Sequence, residues 1–387
     1  MTATYKVNKN VLKWAVNQAD IPSHKLNEEF KNLKTWLNED SEIPVTQIEK
    51  LSKKTKIPFG YFFMETIPKE SNKLADFRTI DNFELKKLSR NLIDVIKEME
   101  AKQAWMRDYL IENGAKPLNF IGKFSLNNSP ENVAENIFKI LNLKPSWNTE
   151  FRSSYECYKF LRKTISEAGI LVMQGSFVKN QTRRKLDLKE FRAFVLIDDY
   201  APLIFINTSD SDTAKLFSIV HELVHIWLGK DEIYNFNYNL NEKNSEFNNI
   251  NLERFCNKVT AKFLLPANKL IEQYEINPDV FELAKSFNVS PHFTAIRLKE
   301  VNLVNSYTFK EMLRNIEAEY KRIEDTNGKQ EKTKLNVPYY TLKKSRIDRS
   351  FLSAVKNSVE TGYANYTEAY TLAEAKGKTF KKLMEEI

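Results

Sequence analysis

Phe217-Ser218-Ile219-Val220-His221-Glu222-Leu223-Val224-His225-Ile226-Trp227-Leu228-Gly229 reads as one buried helix with two histidines on a single face. Residues i and i+4 of a helix lie one above the other, so His221 and His225 point the same way. Two imidazoles at that spacing bind one Zn²⁺, and Glu222 projects beside the metal to take a proton from its bound water. The chain has only four histidines, His24, His221, His225 and His292, so a chance match to this pattern is rare. Phe217, Ile219, Val220, Leu223, Val224, Ile226, Trp227 and Leu228 bury the other faces, and buried neutral imidazoles need partners, which a metal supplies. Gly229 is placed to end the helix as its C′ residue. The alternative is a structural helix whose histidines bond backbone or carboxylates. His24 and His292 stand apart and read as structural or exposed.

A catalytic zinc site needs a third protein ligand and an open position. A carboxylate on the next helix is the natural candidate. Glu253 opens the segment Glu253-Arg254-Phe255-Cys256-Asn257-Lys258-Val259-Thr260-Ala261-Lys262-Phe263-Leu264-Leu265-Pro266. Phe255, Val259, Phe263 and Leu264 would pack this helix on the histidine helix. Cys256, three positions after Glu253, reads as core packing and not as a ligand.

Upstream, residues 155–168 are helical, and Gly169 to Met173 is a short apolar run that suits a strand. Residues 176–190 form a polar, basic loop. Residues 191–197 and 203–207 are two more β-rich runs joined by a hairpin or short link. Downstream, 230–251 is an Asn- and aromatic-rich surface loop, followed by helices at 251–265, 268–273, 278–286 and 291–299. Residues 8–66 read as a run of short helices, 72–82 as a connector and 83–113 as a long amphipathic helix. A charged helix over 308–335 leads to a small helical module at 349–385. The fold class expected is α+β and mostly helical. Its parts are an N-terminal helix-turn-helix-like domain (1–80), a helical connector (81–150), a metallopeptidase core with a small sheet (151–305), a charged helix or linker (306–340) and a C-terminal helical module (341–387).

Length and composition bound the function. The 387 residues with 42% hydrophobic content suffice for two or three packed domains, and 26 Phe and 16 Tyr exclude wholesale disorder. No stretch approaches about 18 apolar residues, so no membrane span is expected. Met1 to Lys6 lacks the pattern of a secretion signal, and two cysteines, Cys157 and Cys256, are too few for a disulfide framework. A cytoplasmic setting follows as the expectation. Net charge is +8, but residues 1–80 carry 13 basic against 10 acidic side chains, so that end is no phosphate-binding arm.

The stretch 155–266 resembles the ImmA/IrrE family of metallopeptidases. In that family a strand-rich segment leads to an HExxH helix and then to a helix of the form E-x-x-A-N-x-F-A-x-x-L-L-x-P. Glu253, Asn257, Phe263, Leu264, Leu265 and Pro266 match that form, with Cys256 in place of the small residue and Val259 in place of Phe. The resemblance implies a zincin-like, minigluzincin core in which His221, His225 and Glu253 are the zinc ligands and Glu222 the general base. The first 80 residues, with Trp36 to Leu51 and Asp76-Phe77-Arg78-Thr79, are similar to the Xre-type helix-turn-helix domain that some members carry. The nine steps from Asn27 to Trp36 are too few for the usual turn and full recognition helix.

These readings lead to a zinc-dependent metallo-endopeptidase as the expected function. The resemblance implies a regulatory cut in a transcriptional repressor or an antitoxin. An edge strand from 191–197 or 203–207 would hold the substrate extended. The first alternative is a DNA-binding transcriptional regulator or antitoxin, using residues 1–80, with a non-catalytic zinc site. The second is an interaction protein that sequesters a toxin through 1–150 and 340–387. Substrate, activating signal and oligomeric state are not encoded legibly.

Overall fold

The computed structural model describes residues 3–19, 21–68, 88–229, 232–234, 247–327 and 339–387. The Asp76–Thr79 motif, the 72–82 connector and most of the 230–251 loop lie outside them. The protein is α+β and mostly helical, and it divides into two compact units, Met1–Glu98 and Met99–Ile387. Among the described residues no helix is long and apolar enough to cross a membrane.

In the first unit, β1 (Thr4–Val7) precedes α1 (Lys9–Gln18), α2 (Ser23–Glu29) and α3 (Leu33–Asn38), and β2 (Ser41–Pro44) precedes α4 (Val45–Thr55). Asn8 caps α1, its side chain accepting from the Asn10 N–H at 2.8 Å. Leu12, Ala15, Leu26, Phe30, Leu33, Trp36, Ile43, Ile48, Leu51 and Phe62 form one buried core. The expectation of helices alone over 8–66 needs correction. β2 lies inside that range and pairs antiparallel with β1, Tyr5 opposite Ile43. Each strand has four residues and buries a single side chain, so neither shows a period that a sequence reading detects. The helix α5 (Arg90–Glu112) follows; the expected residues 83–87 lie outside the described chain.

The second unit holds α6 (Pro130–Ile140), α7 (Ser154–Glu167), β3 (Leu171–Gly175), β4 (Ala193–Leu196), β5 (Leu203–Asn207), α8 (Asp212–Leu228) and β6 (Glu232–Tyr234). After them come α9 (Phe247–Leu264), α10 (Ala267–Ile276), α11 (Val280–Ser286), α12 (Pro291–Glu300) and α13 (Ser306–Asn327). The chain ends in α14 (Tyr339–Arg346), α15 (Arg349–Glu360), α16 (Tyr366–Leu372) and α17 (Gly377–Glu385).

The sheet has the order β3-β5-β4-β6, with β3 and β5 parallel and β4 antiparallel to both neighbours. Strand side chains alternate between faces. Val172, Ala193, Val195, Ile204 and Ile206 join the large core that includes α8. On the opposite face Phe194 stacks on Phe205, 5.1 Å between centroids. Both β4 and β5 are buried throughout, so they read as continuous apolar runs.

The expected role of 191–197 or 203–207 as an edge strand is wrong. β5 lies between β3 and β4, and β4 lies between β5 and β6. Nor is β3 an open edge. Its Val172 N–H donates to Asp348 Oδ2 at 3.0 Å, and Arg162 binds the carbonyls of Val172 and Ile347. Asp348 is also the N-cap of α15, accepting from Ser350 and Phe351 N–H, so one buried carboxylate ties the C-terminal module to the sheet.

Local signals set the ends of α8. Ser211 caps it, accepting from the Ala214 N–H, and Gly229 ends it in the left-handed conformation at φ 63°. Segment 120–124 closes over that end. Gly122 N–H donates to the Ile226 carbonyl at 3.0 Å, Phe124 N–H to that of Trp227 at 3.0 Å, and Phe120 stacks on Trp227 at 4.5 Å. A Cβ at residue 229 would stand 3.0 Å from Gly122 Cα. Gly229→Ala therefore meets both backbone strain and a close contact, and is expected to lower unfolding stability by about 2 kcal/mol. Urea unfolding checks this, with Gly60→Ala, where nothing lies within 4 Å, as the neutral comparison.

Candidate metal centre

α8 is buried along its whole C-terminal half, and His221, Glu222 and His225 are each 0% exposed. α9 packs alongside α8, with Phe255, Cys256, Val259 and Phe263 in the shared core. The far end of α9 is clipped in place. Asn148 donates to the Leu264 carbonyl at 2.9 Å, Arg297 to that of Leu265 at 3.2 Å, and Asn288 to that of Asn148 at 2.9 Å.

Between the two helices three side chains converge. His221 Nε2 and His225 Nε2 lie 3.1 Å apart. Glu253 Oε2 stands 3.2 Å from His221 Nε2, and Glu253 Oε1 stands 3.4 Å from His225 Nε2. A tetrahedral zinc with bonds of about 2.0–2.1 Å needs its ligand atoms about 3.3 Å from one another. The three donors meet that spacing, and their chemistry, two imidazoles and a carboxylate, suits zinc. Glu253 is the least enclosed of them, its side chain 30% exposed.

Electrostatics keeps the carboxylate ionised. Burial would raise the Glu253 pKa, but the imidazoles of His221 and His225 outweigh it and hold the carboxyl well below its ordinary range. A carboxylate must be deprotonated to bind a metal, and this one is held in that state.

The outer ring nitrogens are held by the same turn of α9. Asn257 Oδ1 lies 3.1 Å from His221 Nδ1, and Cys256 Sγ lies 4.0 Å from His225 Nδ1. An acceptor at Nδ1 fixes the tautomer that leaves Nε2 free to bind a cation. Among the described residues, His221, His225 and Cys256 also form a group at metal-ligand spacing. The sulfur, however, sits at the outer nitrogen of His225, while both Nε2 atoms face Glu253. The thiol is thus placed as an outer partner of the imidazole rather than beside the carboxylate.

The structure brings His221, His225 and Glu253 together and puts Glu222 on the intervening turn of α8. In the sequence Asn257 stands out only as a motif position. Its signal was its place four residues after Glu253, on the same face of α9. His24 is exposed in the first unit, and His292 stacks on Tyr320 at 5.5 Å.

Residues 165–299 match the family described as the IrrE N-terminal-like domain, Peptidase_M78, and residues 347–386 match a Domain of unknown function (DUF8813). No curated protein and no solved structure matches the chain. His221, Glu222, His225 and Glu253 all lie inside the first match, so the chain carries a domain of metallopeptidase type around them.

The depressed Glu253 carboxyl has a pH signature in metal-free protein. A group whose pKa is lower folded than unfolded adds stability above its unfolded value, near about 4.3, and loses it as pH falls. Acid titration of unfolding free energy is expected to be less steep below about pH 5 for Glu253→Gln than for the unchanged protein. Equal slopes would show that the imidazoles do not stabilise the carboxylate.

Proposed function

We propose that the IrrE N-terminal-like domain of this chain is a zinc-dependent endopeptidase that makes regulatory cuts in a cytoplasmic protein, a transcriptional repressor or an antitoxin. The observation that carries this reading is the convergence of His221 Nε2, His225 Nε2 and the Glu253 carboxylate beside the buried Glu222. His221, His225 and Glu253 would hold the zinc, and Asn257 and Cys256 would orient the two rings. Bound there, zinc supplies a Lewis acid for the scissile carbonyl and a water of lowered pKa.

The remaining chemistry belongs to the chain. Glu222 is the general base: a carboxylate oxygen takes the proton of the attacking water and returns it to the leaving nitrogen. Its burial in a largely apolar helix environment excludes bulk water from the carboxylate. Glu253, kept anionic by the imidazoles, stays a ligand as the reaction proceeds. Tight support of α8 and α9 keeps these groups from drifting apart between steps.

The N-terminal unit favours a docking role over base reading. α3 runs only from Leu33 to Asn38, whereas a recognition helix must extend far enough to enter the major groove. A regulatory peptidase needs such a docking part, because selectivity for one target exceeds what side chains near the scissile bond supply.

Two measurements test the reading. Zinc analysis should give one zinc per chain for the unchanged protein and Glu222→Gln, little for His221→Ala, and an affinity about tenfold weaker for Asn257→Ala. In the native host, protein N-termini are compared between cells carrying the unchanged protein and cells carrying Glu222→Gln. A new terminus should occur only with the unchanged protein and should identify the target. Zinc-loaded protein that yields no such terminus while candidate targets are expressed would reject the peptidase reading.

A further inference from the structure

Trp105, Asp108, Tyr109 and Glu112 stand at positions i, i+3, i+4 and i+7 of α5, so they share one face of that helix. The Trp105 and Tyr109 rings stack, with centroids 5.4 Å apart and planes at 10°. Tyr363, from the turn between α15 and α16, stands across both, at 71° to Trp105 and 77° to Tyr109, with centroids 6.3 Å and 5.6 Å away. The three rings make a corner, and it is held from behind. Trp105 meets the buried Phe351 of α15 edge to face at 5.5 Å, and its Nε1–H donates to Glu368 Oε1 at 3.0 Å. The turn that carries Tyr363 is closed by the Gly362 N–H donating to the Val359 carbonyl and the Ala364 N–H to that of Ser358. Gly362 takes φ 75° there.

The corner reaches the surface, with Tyr363 39% exposed and Trp105 and Tyr109 half-buried. Its rim is anionic. Burial and the carboxylates of Glu112, Asp108 and Glu368 push the Tyr363 phenol above its ordinary range. Arg107 offsets one of these charges, its guanidinium 3.2 Å from Asp108. Among the described residues neither Glu112 nor Glu368 stands in an ion pair. The chain as a whole carries +8, so an aromatic surface edged by carboxylates is a local exception.

We propose that this corner docks a Lys or Arg side chain from a basic segment of a partner protein. Ring faces attract cations, and a carboxylate beside them adds a charge-assisted hydrogen bond. Rings already held in place lose little freedom on binding. An apolar side chain would draw Glu112 and Glu368 away from water without giving them a partner. An acidic one would meet like charges and the negative faces of the rings. The net positive charge of the rest of the chain repels a basic segment, which leaves the corner as the place of contact.

Fluorescence anisotropy on the full-length protein tests this with short labelled peptides in which Gly alternates with Arg, Lys, Gln or Glu. The Arg and Lys peptides should bind about tenfold tighter than the Gln peptide, the Glu peptide no tighter, and rising salt should weaken the cationic pair. Tyr363→Ala and Glu112→Gln, both changes of exposed side chains, should each weaken the cationic peptides about threefold to fivefold. Tyr363→Phe keeps the ring and should stay within about twofold of the unchanged protein. Glu282→Gln, an exposed acid on α11, removes the same charge elsewhere and should change nothing. Cationic peptides that bind no tighter than the Gln peptide, binding that survives Tyr363→Ala or Glu112→Gln, or an equal loss in Glu282→Gln would each overturn the docking site. The readout is binding and not cleavage, so such a failure leaves the peptidase reading standing.

Discussion

The contact between α8 and α9 sets two imidazole Nε2 atoms 3.1 Å apart and turns both toward one carboxylate, in a place where the histidines are wholly buried. Such an arrangement is costly unless each polar atom has a partner. The outer nitrogens are satisfied from α9 by Asn257 and Cys256, and the inner ones by Glu253 of the same helix. Glu253, Cys256 and Asn257 occupy positions i, i+3 and i+4, so a single face of α9 serves both rings. A shift of α9 along its axis by one residue would break every one of these contacts together. Holding the register of the two helices is therefore the task on which the site depends.

The second unit is built to hold that register. The sheet backs α8 with Val195, Ile204 and Ile206, and Phe120 with Gly122 seals its C-terminal end. α6 supports α9 through the stacked pair Phe138 and Phe263, 4.5 Å apart, and Asn148 with Asn288 fixes the turn that follows Leu264. The C-terminal module reaches the same framework from the other side. Asp348 accepts from the Val172 N–H and Arg162 donates to the Val172 carbonyl, on the outer side of β3. The margin of the sheet at β3 is thus occupied at Val172 by the C-terminal module and by α7.

The sequence reading did well where structure is local and poorly where it is not. The Gly229 end of α8 and the strand character of β4 and β5 were legible, because periodicity and capping act within a few residues. β1, β2 and β6 were not. Each has three or four residues and forms only because a partner strand arrives from elsewhere in the chain. The edge-strand reading failed for a related reason. Two apolar runs of four and five residues look alike whether they sit inside a sheet or at its margin, and the order of strands is settled by contacts among segments up to about 60 residues apart.

What the sequence by itself determined is the donor set and its geometry along each helix: His221 and His225 one turn apart, Glu222 between them, and Glu253 at the head of an apolar helix with Asn257 four residues on. These follow from the 3.6-residue period and from side-chain chemistry, both of which are properties of a short stretch of chain. Only the tertiary structure decided which ring nitrogens face inward and that Cys256 stands at the back of His225. Those depend on how one helix is rotated and translated against another. That rotation is fixed by the packing of the whole core, to which the second unit contributes from Phe120 to Ile316.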